Sequence, residues 1–78
     1  MVKEEPSKSV TKRLRRAGFI AGNTEGSHTK WAHPIGPKVS VPDGHKTISP
    51  GVVRQVNNAI AEAERMTELA EEMKGDEK

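Results

Sequence analysis

Three histidines, His28, His33 and His45, supply the side chains of this chain best suited to proton transfer near neutral pH. His28 follows Gly26 and Ser27, and Lys30 stands two residues on. A histidine beside a hydroxyl and an ammonium group can act as general acid or base while the cation stabilises developing negative charge. Taken on residue type alone, a surface histidine after a turn is the simpler reading of His28. His33, next to Pro34 and on the expected face of Trp31, reads as a packing or hydrogen-bonding residue, and His45, in a loop, is open between a second acid/base and a solvated side chain. The two nearer histidines do not make a metal site, because alternation along a strand puts His28 and His33 on opposite faces and no cysteine or paired carboxylate completes a ligand set. No metal or other cofactor is expected.

Charge is segregated. Residues 1–61 hold ten Lys and Arg against four Asp and Glu, whereas residues 62–78 hold three against seven, which together give the net +2. A basic body with an acidic end favours a polyanionic ligand for the body. Lys30, Lys46 and Arg54 are candidate phosphate contacts, as are Lys12 and Arg16 on a cationic helix face with Lys8 and Arg15, and Ser27 is a candidate hydrogen-bond donor to the same ligand. Cysteine is absent, which removes disulfides, thiolate metal sites and thiol nucleophiles and suits a reducing compartment. The charged N-terminus and the lack of a long apolar run point to a cytoplasmic protein with no membrane partner. Only 32% of residues are hydrophobic, so an open face or shallow groove is expected rather than a deep cavity.

The elements that must position these residues follow from periodicity. Residues 1–6 read as a frayed start, and a helix is expected from a Ser7 or Ser9 cap, with Val10, Leu14 and Ala17 inward and Gly18 ending it. Phe19 to Ala21 is a short strand candidate, and residues 22–26 supply a turn. From Ser27 to His33, alternation puts Thr29, Trp31 and His33 on one face and His28, Lys30 and Ala32 on the other, with Trp31 packing inward. Pro34 to Pro37 turns the chain into a hairpin with Lys38 to Val41, and residues 42–46 form a loop. A second helix starts at Ser49-Pro50; Val53, Val56, Ile60 and Ala63 mark its buried stripe, which continues through Met66, Ala70 and Met73 to Gly75. The fold expected is α+β, with two helices on one face of a three-stranded antiparallel sheet.

Four blocks stand out together: Arg13-Leu-Arg-Arg-Ala-Gly-Phe19, Gly26-Ser27-His28, Val39-Ser-Val-Pro42 and Ser49-Pro-Gly51. In order and spacing, over roughly residues 8–60, the chain resembles the HicA toxin family of type II toxin–antitoxin systems. The resemblance implies a fold like the double-stranded RNA-binding domain, α-β-β-β-α, in agreement with the element order above. It also implies a stress-response toxin that cuts mRNA, is neutralised by a HicB-type antitoxin, and uses His28 as its catalytic histidine, with Gly26 and Ser27 completing the motif. Because the 2′-hydroxyl of RNA is its own nucleophile, one histidine and nearby cations suffice for transesterification, leaving a 2′,3′-cyclic phosphate.

Three features depart from the family pattern: Lys30 at a strand position expected to be apolar in relatives, the loop Asp43-Gly44-His45, and the charged segment after Ile60. The chain is therefore divided into an RNA-cleaving domain at 7–61 and an acidic helical extension and tail at 62–78. The competing reading is a non-catalytic RNA-binding or protein-interaction module. Both a homo-oligomer and a toxin–antitoxin hetero-oligomer are compatible with the sequence.

Overall fold

The computed structural model describes residues 3–75. The element order is β1 (Glu5–Pro6), α1 (Ser7–Arg16), β2 (Ile20–Glu25), β3 (His28–Ala32), β4 (Lys38–Val41), β5 (Thr47–Ile48) and α2 (Pro50–Gly75). Strands β2, β3 and β4 form an antiparallel sheet in that order, and β1 pairs with β5 in a separate two-stranded ribbon. The α+β class and the α-β-β-β-α core of the expected fold are thus present, with two short strands added around them.

Burial follows the two periodicities. On β3, Thr29 and Trp31 are buried and His28 and Lys30 exposed; on β4, Val39 and Val41 are buried and Lys38 and Ser40 exposed. Val10 and Leu14 of α1 and Val53, Val56, Ala59 and Ala63 of α2 join Phe19, Trp31, Val39, Val41 and Ile48 in one core, with Ile60 half-buried at its margin. Each buried aliphatic side chain of this size contributes roughly 1.5–3 kcal/mol, so a domain with so few apolar residues depends on every one of them. The opposite face of the sheet is left to solvent. The guanidinium of Arg15 lies 5.5 Å from the centroid of the buried Trp31 ring, a cation–π contact that closes the edge of the core.

Helix α1 ends in a Schellman motif. The Gly18 amide donates to the Arg15 carbonyl at 3.0 Å and the Phe19 amide to the Leu14 carbonyl at 3.0 Å, with Gly18 at φ 97°. The α2 start is also as expected, Pro50 opening the helix and the Val53 amide donating to the Ser49 carbonyl at 2.9 Å.

Three local expectations are corrected. Glu5 and Pro6 are paired with Ile48 and Thr47, so that part of the start is not frayed. No serine caps α1: Pro6 holds the cap position, and the Ser7 amide instead donates to the Lys46 carbonyl at 2.9 Å, a partner supplied by the β1–β5 pairing. Glu5 then reaches Arg13 at 3.1 Å, tying the ribbon to α1. Finally, β2 runs to Glu25, through residues 22–25 that read as turn, because a bulge between Ala21 and Thr24 lets the edge strand absorb Gly22 and Asn23.

α2 runs unbroken through the 61/62 boundary. Its 26 residues span about 39 Å at 1.5 Å each, most of the molecule's longest dimension of 48 Å. Past Ala63, Met66 and Thr67 are half-buried and Glu68 to Glu72 exposed, so Ala70 does not continue the buried stripe; the expectation for Met73 lies outside the described side chains.

Candidate active site at a hairpin end

The loop between β2 and β3 is two residues long, Gly26 and Ser27, with Glu25 and His28 as the closing pair. Gly26 takes φ 61°, and only the first of the two turn residues is left-handed, the pattern of a tight hairpin that needs glycine there. The turn therefore fixes His28 at the very end of β3. Its side chain is exposed on the open face, the same face as Lys30 two residues on. The Lys30 ammonium lies 3.7 Å from the Glu25 carboxylate, so His28, Lys30 and Glu25 form one exposed, charge-bearing corner. Glu25 is not among the residues the sequence singled out. The signal was there, since residues flanking a two-residue turn face each other, but it requires β2 to be recognised as reaching residue 25.

A second set of contacts brings the 42–46 loop to the same hairpin end. The Gly44 amide donates to the Ser27 carbonyl at 2.9 Å, and a Cβ at Gly44 would sit 2.8 Å from Ser27 Cβ, so only glycine permits this approach. His45 Nε2 lies 3.3 Å from Ser27 Oγ. Thr29 donates to Asp43 Oδ1 at 2.8 Å. That commits the single Thr29 proton, so Thr24, 3.2 Å away, is the donor in the Thr24–Thr29 bond. The chain Thr24–Thr29–Asp43 clamps the loop and delivers the His45 imidazole to Ser27. The hydroxyl of Ser27 is thus engaged by His45, whose role the sequence left undecided.

The remaining candidates are spread over the molecule. Lys12 and Arg16 lie two residues from Leu14, hence about 200° around α1 from the core, and are exposed on the side of the helix layer away from the open sheet face. Arg16 borders a recess with Ala17, His33, Glu64 and Glu68, and Lys12 one with Ser9 and Arg13. Lys46 ends the clamped loop beside the start of α1, and Arg54 is exposed near the start of α2.

His33 is a structural residue. Its Nδ1 accepts a hydrogen bond from the Ile35 amide at 3.1 Å, which leaves Nε2 as the proton-bearing nitrogen, donating to the Ala17 carbonyl at 3.1 Å. Its ring stands edge-on to Phe19 at 5.2 Å. Among the described residues no three His, Cys, Asp or Glu side chains lie together as a metal-binding group, and no helix is long and apolar enough to cross a membrane.

The fold and this exposed histidine corner define a small α+β domain with one polar sheet face and a turn-mounted histidine. The family model described as HicA toxin of bacterial toxin–antitoxin matches residues 7–64. The chain belongs to the HicA toxin family and is the toxin of a toxin–antitoxin system, whose partner in general is an antitoxin. Searches of curated proteins and of solved structures returned no match.

Proposed function

We propose that this toxin is a metal-independent mRNA endoribonuclease in which His28 transfers the proton, as general base toward the 2′-oxygen or general acid toward the departing 5′-oxygen. The observation that carries the reading is the placement of His28: exposed, at a tight hairpin end, on the open sheet face beside Lys30. Substrate RNA reaches such a histidine without any rearrangement of the core, and the 2′-hydroxyl provides the nucleophile, so the protein need add only proton transfer and positive charge. Lys30 is assigned to the phosphate at the cut. Lys46 and Arg54 are assigned to flanking phosphates, and Lys12 and Arg16, on the helix layer, to longer-range attraction of the polyanion. Gly26 sets the turn, and Ser27 holds the turn against His45. A HicB-type antitoxin that covers the open sheet face would block His28 and Lys30 at once. The catalytic domain is placed at 7–61, with 62–78 as an acidic extension, in a cytoplasmic protein.

The test is cleavage of a defined mRNA by wild type and by His28→Ala in EDTA, with product ends analysed. Cutting by wild type alone, leaving 2′,3′-cyclic phosphates, is the expected result. Intact RNA with both proteins overturns the ribonuclease reading in favour of a binding module, and equal cutting by both overturns His28.

A further inference from the structure

The open sheet face carries a second lysine that the reading above does not use. On β4, Lys38 and Ser40 alternate outward with Val39 and Val41 buried beneath. The register sets Lys30 opposite Ser40 and Ala32 opposite Lys38, so Lys30 and Lys38 are diagonal neighbours on one face, about 7–8 Å apart across the two strands. Together with Ala32 and Ser40 they line a shallow depression in the sheet. Nothing in the fold requires this arrangement. Lys38 makes no ion pair among the described residues, while Lys30 is held by Glu25 at 3.7 Å, an exposed pair of the kind that stabilises a fold little. Two like charges set diagonally across neighbouring strands repel, and an anion bound between them removes that repulsion.

We propose that Lys30 and Lys38 form a phosphate track for single-stranded RNA, running from His28 diagonally across β3 and β4, and that Glu25 occupies Lys30 until a substrate phosphate displaces it. The inference rests on the ribonuclease reading and extends it by assigning the path of the strand. A single strand fits because the face is a shallow, three-stranded surface on which successive phosphates of one chain can lie. Apart from the His28 imidazole at its end, the face offers no exposed aromatic ring for stacking, since Trp31 and Phe19 are both buried. Contact is therefore with the backbone, and the track adds affinity with little preference for base identity.

The experiment measures binding of a fluorescent 2′-O-methyl RNA 12-mer, which lacks the free nucleophile and cannot be cut, over a range of salt concentrations. Wild type is compared with Lys38→Gln, Glu25→Gln and Arg65→Gln, the last removing the same charge from an exposed position on α2. Lys38→Gln is expected to weaken binding roughly three- to tenfold and to lower the salt slope by about 0.7, the value for one phosphate contact on a single strand. Glu25→Gln is expected to tighten binding, and Arg65→Gln to leave the slope unchanged. In cleavage assays Lys38→Gln should raise KM and leave the single-turnover rate at saturating RNA near that of wild type. If wild type binds and cuts while Lys38→Gln binds as tightly, or Arg65→Gln lowers the slope equally, the track is overturned and the ribonuclease reading stands. Cutting of mRNA without binding of the 12-mer likewise overturns the track alone. If wild type neither binds the 12-mer nor cuts mRNA, both are overturned.

Discussion

Thr29 Oγ1 donates a 2.8 Å hydrogen bond to Asp43 Oδ1, and through this bond the strand that carries His28 holds the loop that carries His45. Thr29 is the one polar residue in the buried set among the described residues, and Thr24 behind it completes the chain of donors. Replacing Thr29 with Val keeps the shape and deletes the donor, leaving Asp43 without this partner and Thr24 without its acceptor. We expect Thr29→Val to cost about 1–2 kcal/mol, close to the usual penalty for stranding a partly buried polar group, and to lower the midpoint of thermal unfolding by several degrees. Asp43→Asn keeps an acceptor at the same place and should cost less. An unchanged melting curve for Thr29→Val would show that the contacts of Gly44 and His45 with Ser27 suffice to hold the loop.

His33 and His28 should separate cleanly. His33 joins the end of α1 to the β3–β4 turn through two hydrogen bonds and a ring contact, whereas His28 is exposed and its side chain makes no hydrogen bond among the described residues. His33→Ala is expected to destabilise the protein by about 2–3 kcal/mol, since it removes packing and strands both the Ile35 amide and the Ala17 carbonyl. His28→Ala should unfold within about 0.5 kcal/mol of wild type, as surface substitutions do, while abolishing RNA cleavage. Urea unfolding of the two variants checks the contrast, and a large stability loss in His28→Ala would remove its standing as a clean test of catalysis.

Gly18 is far more constrained than Gly51. It is left-handed at φ 97°, and an added Cβ would lie 2.9 Å from His33 Nε2, so alanine there meets both backbone strain and a ring that is already fixed. Gly18→Ala should cost about 2 kcal/mol or more. Gly51 lies in the first turn of α2, where an added Cβ would meet nothing within 4 Å, and Gly51→Ala should be neutral or stabilise by up to about 1 kcal/mol. Thermal melts of the pair measure how much of the glycine requirement is local; equal effects at the two positions would contradict the geometry.

What could be read from the sequence was whatever obeys a short period. Val10 and Leu14, Thr29 and Trp31, and Val53 and Val56 all lie on the expected faces, and the outward placement of His28 and Lys30 follows from the same alternation. What escaped was set by pairing between distant segments. Glu5–Pro6 is a strand only because Thr47–Ile48 lies beside it, and the first amide of α1 is satisfied by Lys46 rather than by a serine cap for the same reason. The Gly22-Asn23 bulge looked like a turn because glycine and asparagine serve both purposes, and a single sequence does not distinguish them. Around the candidate site, the clamp of Thr24, Thr29 and Asp43 joins residues on two strands and a distant loop, and such a contact leaves no periodic trace.

The stable domain should end well before α2 does. The family match stops at residue 64; among the described residues Ala63 is the last that is buried, and Met66 and Thr67 are the last that are half-buried. Thr67 also returns its hydroxyl to the Ala63 carbonyl at 2.8 Å, a bond within the helix that needs nothing beyond it. The segment after it carries Glu68, Glu71 and Glu72 and an exposed Leu69, and buries no side chain among those described. A chain ending at Thr67 should therefore melt within a few degrees of the full chain, because residues 68–72 contribute helix propagation and little packing. It should also bind single-stranded RNA more tightly: residues 68–78 hold five Asp and Glu against two Lys, so a net charge of −3 leaves with them. Circular dichroism melts and the 12-mer binding assay test the two parts separately. Cooperative unfolding lost on truncation would place Leu69 and its neighbours in the core, and unchanged RNA affinity would show that the acidic end lies too far from the bound strand to repel it.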